Sequence, residues 1–87
     1  MASVIRGTVR DADGAPIAGA RVFYKDAPVP VPDVAILTDE RGRFALGAPA
    51  EGDYELRCVA DGFAPAVVAT SVGQPREVEV EVRLRSA

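Results

Sequence analysis

Short runs of alternating hydrophobic and polar residues follow one another along this chain, separated by glycine or proline. In the cleanest run Val78, Val80, Val82 and Leu84 alternate with glutamates and Arg83. A period of two places successive side chains on opposite faces of a β-strand. Eight glycines and seven prolines interrupt the sequence, and an interior proline costs a helix roughly 3 kcal/mol. The pattern therefore predicts an all-β domain of short strands.

Seven strands are expected, each bounded by turn-forming residues. They span residues 3–10, 20–25, 34–38, 43–46, 54–60, 63–72 and 77–84. Pro28, Pro30 and Pro32 favour an extended connection before the third strand and exclude it from a central strand. Seven strands with turns every 8 to 12 residues or so are typical of a Greek-key β-sandwich.

Length and charge limit the classes of function. The 87 residues form a single domain, 1–87, with 10 basic and 13 acidic residues and a net charge of −3. This balance argues against nonspecific nucleic-acid binding. The sequence contains no run near the ~18 apolar residues of a membrane span. We therefore expect no nucleic-acid partner and no membrane insertion.

The start of the chain bears on its location. Arg6 and Gly7 lie where a secretory signal needs a continuous apolar stretch. If Met1 is the native start, the expected location is cytoplasmic. If the chain is an excised domain of a larger secreted protein, the expected location is extracellular.

The residues that usually carry catalysis are missing or unsuitably placed. The chain contains no histidine, so it lacks the side chain best suited to proton transfer near neutral pH. Cys58 is the single cysteine and alternates with Tyr54 and Leu56 on an inward face, as a core residue does. We expect no catalytic residues, no cofactor and no enzymatic activity.

Two turns rich in aspartate raise the question of calcium. Asp11, Asp13 and Gly14 resemble the beginning of an oxygen-ligand loop, which either Asp39 with Glu40 or Asp53 could complete. The spacing of an EF-hand is not met, because the later ligands do not follow. Solvated β-turns are the favoured interpretation, and weak calcium binding by Asp11 and Asp13 stays open.

Glu77, Glu79 and Glu81 form an acidic stripe on one face of the last strand. Like charges repel unless neighbouring strands bring cations, for which Arg6, Arg10, Arg57 and Arg83 are candidates. An ion-paired face that discourages aggregation is one interpretation, and a face for a basic protein partner is the other. An exposed edge strand also offers a route to a homodimer.

Phe23 is the main aromatic residue expected to face outward, opposite Val22 and Tyr24. An exposed ring can serve as a platform for sugars, so carbohydrate binding is an alternative function. The absence of tryptophan argues against it. Together with the glutamates of the stripe, Phe23 completes the candidate partner-binding residues.

Several motifs occur in an order that resembles a known family. They are Ile5-x-Gly7-x-Val9, Asp13-Gly14-x-Pro16-Ile17-x-Gly19-Ala20-x-Val22, Thr38-Asp39-x-x-Gly42-x-Phe44-x-Leu46, Gly52-x-Tyr54-x-Leu56 and Ala60-x-Gly62-Phe63. With them the chain resembles a carboxypeptidase regulatory-like domain, a transthyretin-like sandwich. The resemblance extends from about Ile5 to the final strand.

The resemblance implies a noncatalytic accessory or protein-interaction module. Hydrolases of hydroxyisourate and intradiol dioxygenases have similar sandwiches, but these enzymes depend on histidines that this chain lacks. A hydrolase working without histidine is the remote alternative. The matched glycines and aromatics specify a fold, and fold alone does not determine function.

Overall fold

The computed structural model describes residues 3–73 and 77–87, and within them the chain forms seven β-strands. They are β1 (Ser3–Asp11), β2 (Arg21–Asp26), β3 (Ile36–Leu37), β4 (Arg43–Ala48), β5 (Gly52–Val59), β6 (Ala66–Val72) and β7 (Glu77–Leu84). One sheet has the strand order β4-β1-β7 and the other β3-β2-β5-β6. β1 and β7 run parallel, and the other described pairs are antiparallel. The predicted all-β sandwich is confirmed. None of the described residues belongs to a helix long and apolar enough to cross a membrane.

The core lies between the two sheets and is built mainly from the inward residues of each alternating strand. Its buried hydrophobic members are Ile5, Val9, Ala20, Val22, Phe44, Leu46, Ala48, Tyr54, Leu56, Cys58, Val72, Val82 and Leu84. Burial of apolar area contributes about 25 cal/mol per Å². Because the inward residues are mostly aliphatic, the outer faces carry nearly all of the charged side chains.

Gly7 creates a local gap in β1 that an aromatic ring fills. Gly7 pairs with Phe44 across β1 and β4. A Cβ atom on Gly7 would overlap the Phe44 ring and would lie 2.9 Å from Cγ2 of Val80. The missing side chain therefore allows the ring to lie against the backbone of the central strand.

Thr38 connects two loops at one end of the sandwich. Its buried hydroxyl donates to the carbonyl of Ile17 at 2.7 Å and accepts the N–H of Ala20 at 2.9 Å. The Thr38 N–H also donates to the carbonyl of Ala20 at 2.9 Å. These bonds hold the turn after β3 against the chain entering β2.

Two strands are shorter than predicted. The third strand, expected over 34–38, contains only Ile36–Leu37, and Val34 before it is 59% exposed. The sixth, expected from residue 63, begins at Ala66 directly after Pro65. Proline has no N–H to donate to a ladder. The prolines that precede these strands therefore limit how far each one pairs.

Candidate interaction surfaces

The acidic stripe lies on the outer face of the three-stranded sheet, along its edge strand β7. All three of its glutamates are exposed. Arg6 of β1 donates from Nε to Oε1 of Glu77 at 3.1 Å, and Arg83 donates to Oε1 of Glu81 at 2.9 Å. Ion pairs this exposed contribute roughly 0–1 kcal/mol. Glu79 forms no ion pair with any residue in the described ranges.

Two arginines predicted as partners of the stripe form no ion pair with its glutamates in the described residues. Arg10 donates to the carbonyl of Gly14 at 2.9 Å and so holds the turn after β1. Arg57 belongs to β5 in the four-stranded sheet. Arg57 is therefore remote from the stripe, because alternation gives the face of a strand but not the sheet to which the strand belongs. Arg10 lies on β1 in register with Arg83 of β7, but its guanidinium group is directed to Gly14.

Phe23 lies on a different surface from the glutamates. It is part of β2 in the four-stranded sheet, where its neighbour Val22 is fully buried in the core. Phe23 is half-buried on the opposite, outer face and pairs in register with Arg57. The four predicted partner-binding residues are therefore divided between the outer faces of two sheets.

The two aspartate turns share one hydrogen-bond pattern. Oδ1 of Asp11 accepts the N–H groups of Asp13 and Ala15, each at 2.9 Å. Oδ1 of Asp39 likewise accepts from residues two and four positions on, at 2.9 Å each. The backbone N–H of Arg43, followed by that of Arg41, lowers the pKa of Asp39 from its usual 3.8.

These bonds bear on the calcium hypothesis. In each turn Oδ1 of the aspartate accepts hydrogen bonds from the chain's own amides. Within residues 3–73 and 77–87 there is no group of three or more acidic or cysteine side chains placed to hold a metal ion. The observed role of Asp11 and Asp39 is to shape their turns.

Cys58 is buried in the core. Loss of hydration on burial raises the pKa of its thiol to about 11. The thiol is therefore protonated at neutral pH, whereas cysteine nucleophiles react as thiolates. Cys58 packs as a small apolar residue.

The sequence patterns did not single out a cleft whose lining extends from β3 and β4 to Gly7 of β1 and to Glu79 and Val80 of β7. It has a volume of about 620 Å³ and lies where the edge of β4 faces β3. Its lining includes Ile36 and Leu37 of β3 and Phe44 and Ala45 of β4. An alanine within a strand does not indicate a binding surface by its chemistry. Only the observed pairing of the strands shows that this edge of β4 is open.

Solved structures share the fold. The major pilin subunit of Bacillus cereus matches with a TM-score of 0.73 at 17% identity, over 100% of this chain and 31% of the pilin. The minor pilin of Streptococcus agalactiae matches with a TM-score of 0.73 at 16% identity, over 99% of this chain and 45% of that one. Hydroxyquinol 1,2-dioxygenase of Pseudomonas putida has a TM-score of 0.76 at 10% identity, over 100% of this chain and 57% of the enzyme. The chain thus spans less than two thirds of each, and at these identities the likeness shows the fold alone.

Comparison of sequences gives the family. No curated protein sequence matches the chain. The family model described as carboxypeptidase regulatory-like domain matches residues 4–85. That range contains every motif on which the resemblance was based, from Ile5 to Phe63. The chain belongs to the carboxypeptidase regulatory-like domain family.

Proposed function

We propose that this chain is a noncatalytic module that binds another protein. Its family is described as regulatory-like, and the proteins that share its fold include a major and a minor pilin. The dioxygenase with the same sandwich is an enzyme, so the likeness of fold alone favours neither role. The choice rests on the side chains of this chain.

The state of the reactive side chains carries the proposal. The chain contains no histidine, the Cys58 thiol is buried with a raised pKa, and Asp11 and Asp39 accept hydrogen bonds from their own turns. Nucleophilic catalysis needs a nucleophile within hydrogen-bond reach of a base. The strand edges and the outer faces of the sheets remain exposed, and such surfaces are suited to binding another protein.

The test is capture of a partner by the immobilised chain, followed by calorimetric titration of the purified pair. Glu79→Lys and Phe23→Ala each change one outer face, and both residues lie outside the fully buried core. We expect the captured partner to bind saturably. One of these variants, or a substitution at a strand edge, should weaken this binding without changing the melting temperature of the chain. The unaffected variant is the matched control for folding.

Two outcomes would contradict the proposal. Binding on a glycan array that Phe23→Ala abolishes would support a carbohydrate-binding module. Turnover of an ester, amide or sugar substrate, lost on a single acidic substitution, would indicate a hydrolase that works without histidine.

A further inference from the structure

The two outer faces of the sandwich differ in the apolar surface that they expose. Among the described residues, the exposed large hydrophobic side chains are Val34, Leu37 and Val67. Leu37, which is 64% exposed, and Val67, which is 45% exposed, both lie on the outer face of the four-stranded sheet, as Phe23 does. Val34 lies in the loop before β3. None of these exposed side chains lies on the outer face of the three-stranded sheet.

Six side chains on this face form two neighbouring rows, and in each row an arginine lies between two apolar residues. In register order the rows are Leu37, Arg21 and Val59, followed by Phe23, Arg57 and Val67. Side chains that are directly opposite each other on neighbouring strands interact. We call these six residues the outer patch. It extends across all four strands of the sheet.

Apolar side chains border Arg57 on three sides. Phe23 and Val67 flank it on the neighbouring strands, and Val59 follows it by two positions on the same face of β5. Glu55 lies on the fourth side, two positions before it. Arg57 nevertheless forms no ion pair with any residue of ranges 3–73 and 77–87. Its guanidinium group therefore has donors to offer to a ligand.

The second arginine of the outer patch has only a weak partner. Nη2 of Arg21 lies 3.6 Å from Oδ1 of Asp61, whose side chain is fully exposed. Exposed pairs of this kind contribute little. The six residues of the outer patch include no acidic side chain, so the patch is apolar and positively charged although the whole chain has a net charge of −3.

The cost of burying Arg57 determines which partner the outer patch fits. A surface that covers Phe23, Val59 and Val67 also removes water from Arg57, which lies between them. A buried charge without a counter-charge is costly, so a purely apolar partner would lose much of what it gains from the apolar contact. A carboxylate accepts two parallel N–H bonds from a guanidinium group, and apolar surroundings strengthen these bonds. An apolar surface that carries a carboxylate therefore satisfies both the apolar side chains and the charge.

We propose that the outer patch binds an apolar surface of a partner protein that presents a carboxylate to Arg57. This inference rests on the proposed function, and it selects the outer face of the four-stranded sheet over the acidic stripe. The apolar side chains provide most of the contact area, and Arg57 gives the patch its preference for an acidic group. Arginine and aromatic side chains within apolar contacts are enriched among the residues that dominate the binding energy of protein interfaces.

The first test is an NMR titration of the ¹⁵N-labelled chain with 2-naphthylacetate, which joins a carboxylate to an apolar ring system. The matched compound is 2-(2-naphthyl)ethylamine, which has the same ring system and a positive charge. We expect saturable shifts with the carboxylate that are largest at the amides of Phe23, Arg57 and Val67. The amine should bind at least roughly tenfold more weakly, as loss of a charge-assisted hydrogen bond predicts.

Two pairs of variants separate the charge from the apolar contact. Arg57→Gln removes a charge from the outer patch, and Arg41→Gln removes the same charge from the turn before β4. Val67→Thr makes one apolar side chain of the patch polar, and Val34→Thr makes the same change in the loop before β3. All four side chains are exposed, so the variants should fold. Arg57→Gln should weaken binding of 2-naphthylacetate at least roughly tenfold and Val67→Thr to a smaller degree, whereas the other two variants should bind as the wild type does.

Several results would overturn the inference. They are equal binding of the two naphthyl compounds, no saturable shifts, shifts centred on the acidic stripe, and equal weakening by Arg57→Gln and Arg41→Gln. Sedimentation of the chain with vesicles of phosphatidylcholine and phosphatidylserine, abolished by Arg57→Gln, would instead assign the outer patch to an anionic membrane. A captured protein whose binding Glu79→Lys weakens and Arg57→Gln leaves unchanged would overturn the inference while leaving the proposed module function in place.

Discussion

At the scale of single residues, the hydroxyl of Tyr54 shows how a core ring also orders a loop. The ring is fully buried, and it packs against Tyr24 with the ring centroids 5.3 Å apart. Its hydroxyl donates to the carbonyl of Ala50 at 2.6 Å and accepts the N–H of the same residue at 3.1 Å. One side chain therefore satisfies both backbone groups of a residue between β4 and β5.

Removal of this hydroxyl should destabilise the fold. Tyr54→Phe keeps the ring but leaves the partly buried donor and acceptor of Ala50 without their partner, which costs about 1–3 kcal/mol. Tyr24→Phe is the matched control, because it loses one exposed bond to Gly47 and should cost about 1 kcal/mol or less. Urea unfolding measures both. A larger loss for Tyr24→Phe would contradict this ranking.

The lowered pKa of Asp39 predicts that the stability of the fold depends on pH. Because its pKa is lowered in the folded chain, its ionised form stabilises the fold above the ordinary pKa of 3.8. That contribution is lost as the pH falls through the lowered pKa. Asp39→Asn keeps an oxygen acceptor without the charge, so the variant should be less stable than wild type at pH 7, and the difference should shrink under acidic conditions.

The control for Asp39 is an exposed aspartate of the loop before β3. Asp33→Asn changes the charge by the same amount, and Asp33 makes no hydrogen bond or ion pair with the described residues. Unfolding in urea from pH 7 to pH 2.5 should show a stability difference that depends on pH for Asp39→Asn alone. A constant difference for Asp39→Asn across that range would show that its charge is not the stabilising element.

At the scale of strands, the contact between β1 and β4 depends on the missing side chain of Gly7. Gly7→Ala would force its Cβ into Phe44 and Val80, and overpacking of this kind costs about 1–3 kcal/mol. Gly47→Ala on β4 is the matched control, because a Cβ there meets no atom within 4 Å. The thermal midpoint should fall for Gly7→Ala only, and Phe44→Leu in the same chain should recover part of the loss.

The strands themselves were largely predictable, and the exceptions have physical causes. β1, β5 and β7 were recognised because a half-buried strand alternates between apolar and polar side chains. β3 was predicted too long because residues 34–37 are apolar, whereas Val34 remains 59% exposed beside the proline segment. The open edge at Ala45 was not predictable, since it depends on which strands become neighbours in a sheet.

At the scale of the whole molecule, the acidic stripe should discourage edge-to-edge association. β7 is an edge strand, and charged side chains protect such edges. Replacement of all three glutamates by threonine should increase self-association in sedimentation velocity. The control variant has threonine in place of Asp13, Asp33 and Glu51, which are exposed away from β7. It has the same net charge as the first variant and should remain monomeric. Equal self-association of the two variants would show that net charge, and not the position of the glutamates on β7, keeps the chain monomeric.

The candidate surfaces were only partly predictable at this scale. The outward direction of the glutamates followed from alternation along one strand. Their separation from Phe23 did not, because it depends on the assignment of β7 and β2 to different sheets. Local sequence specifies the face of a strand, whereas contacts between distant segments determine which faces form one surface.

The most direct test of the central claim is amide chemical-shift mapping of the labelled chain with a protein partner captured by it. The account predicts saturable shifts in one contiguous patch on a strand edge or an outer sheet face, while the core amides around Cys58 and Tyr54 keep their positions. The absence of saturable shifts with every captured protein, together with turnover of a small substrate, would contradict a noncatalytic interaction module.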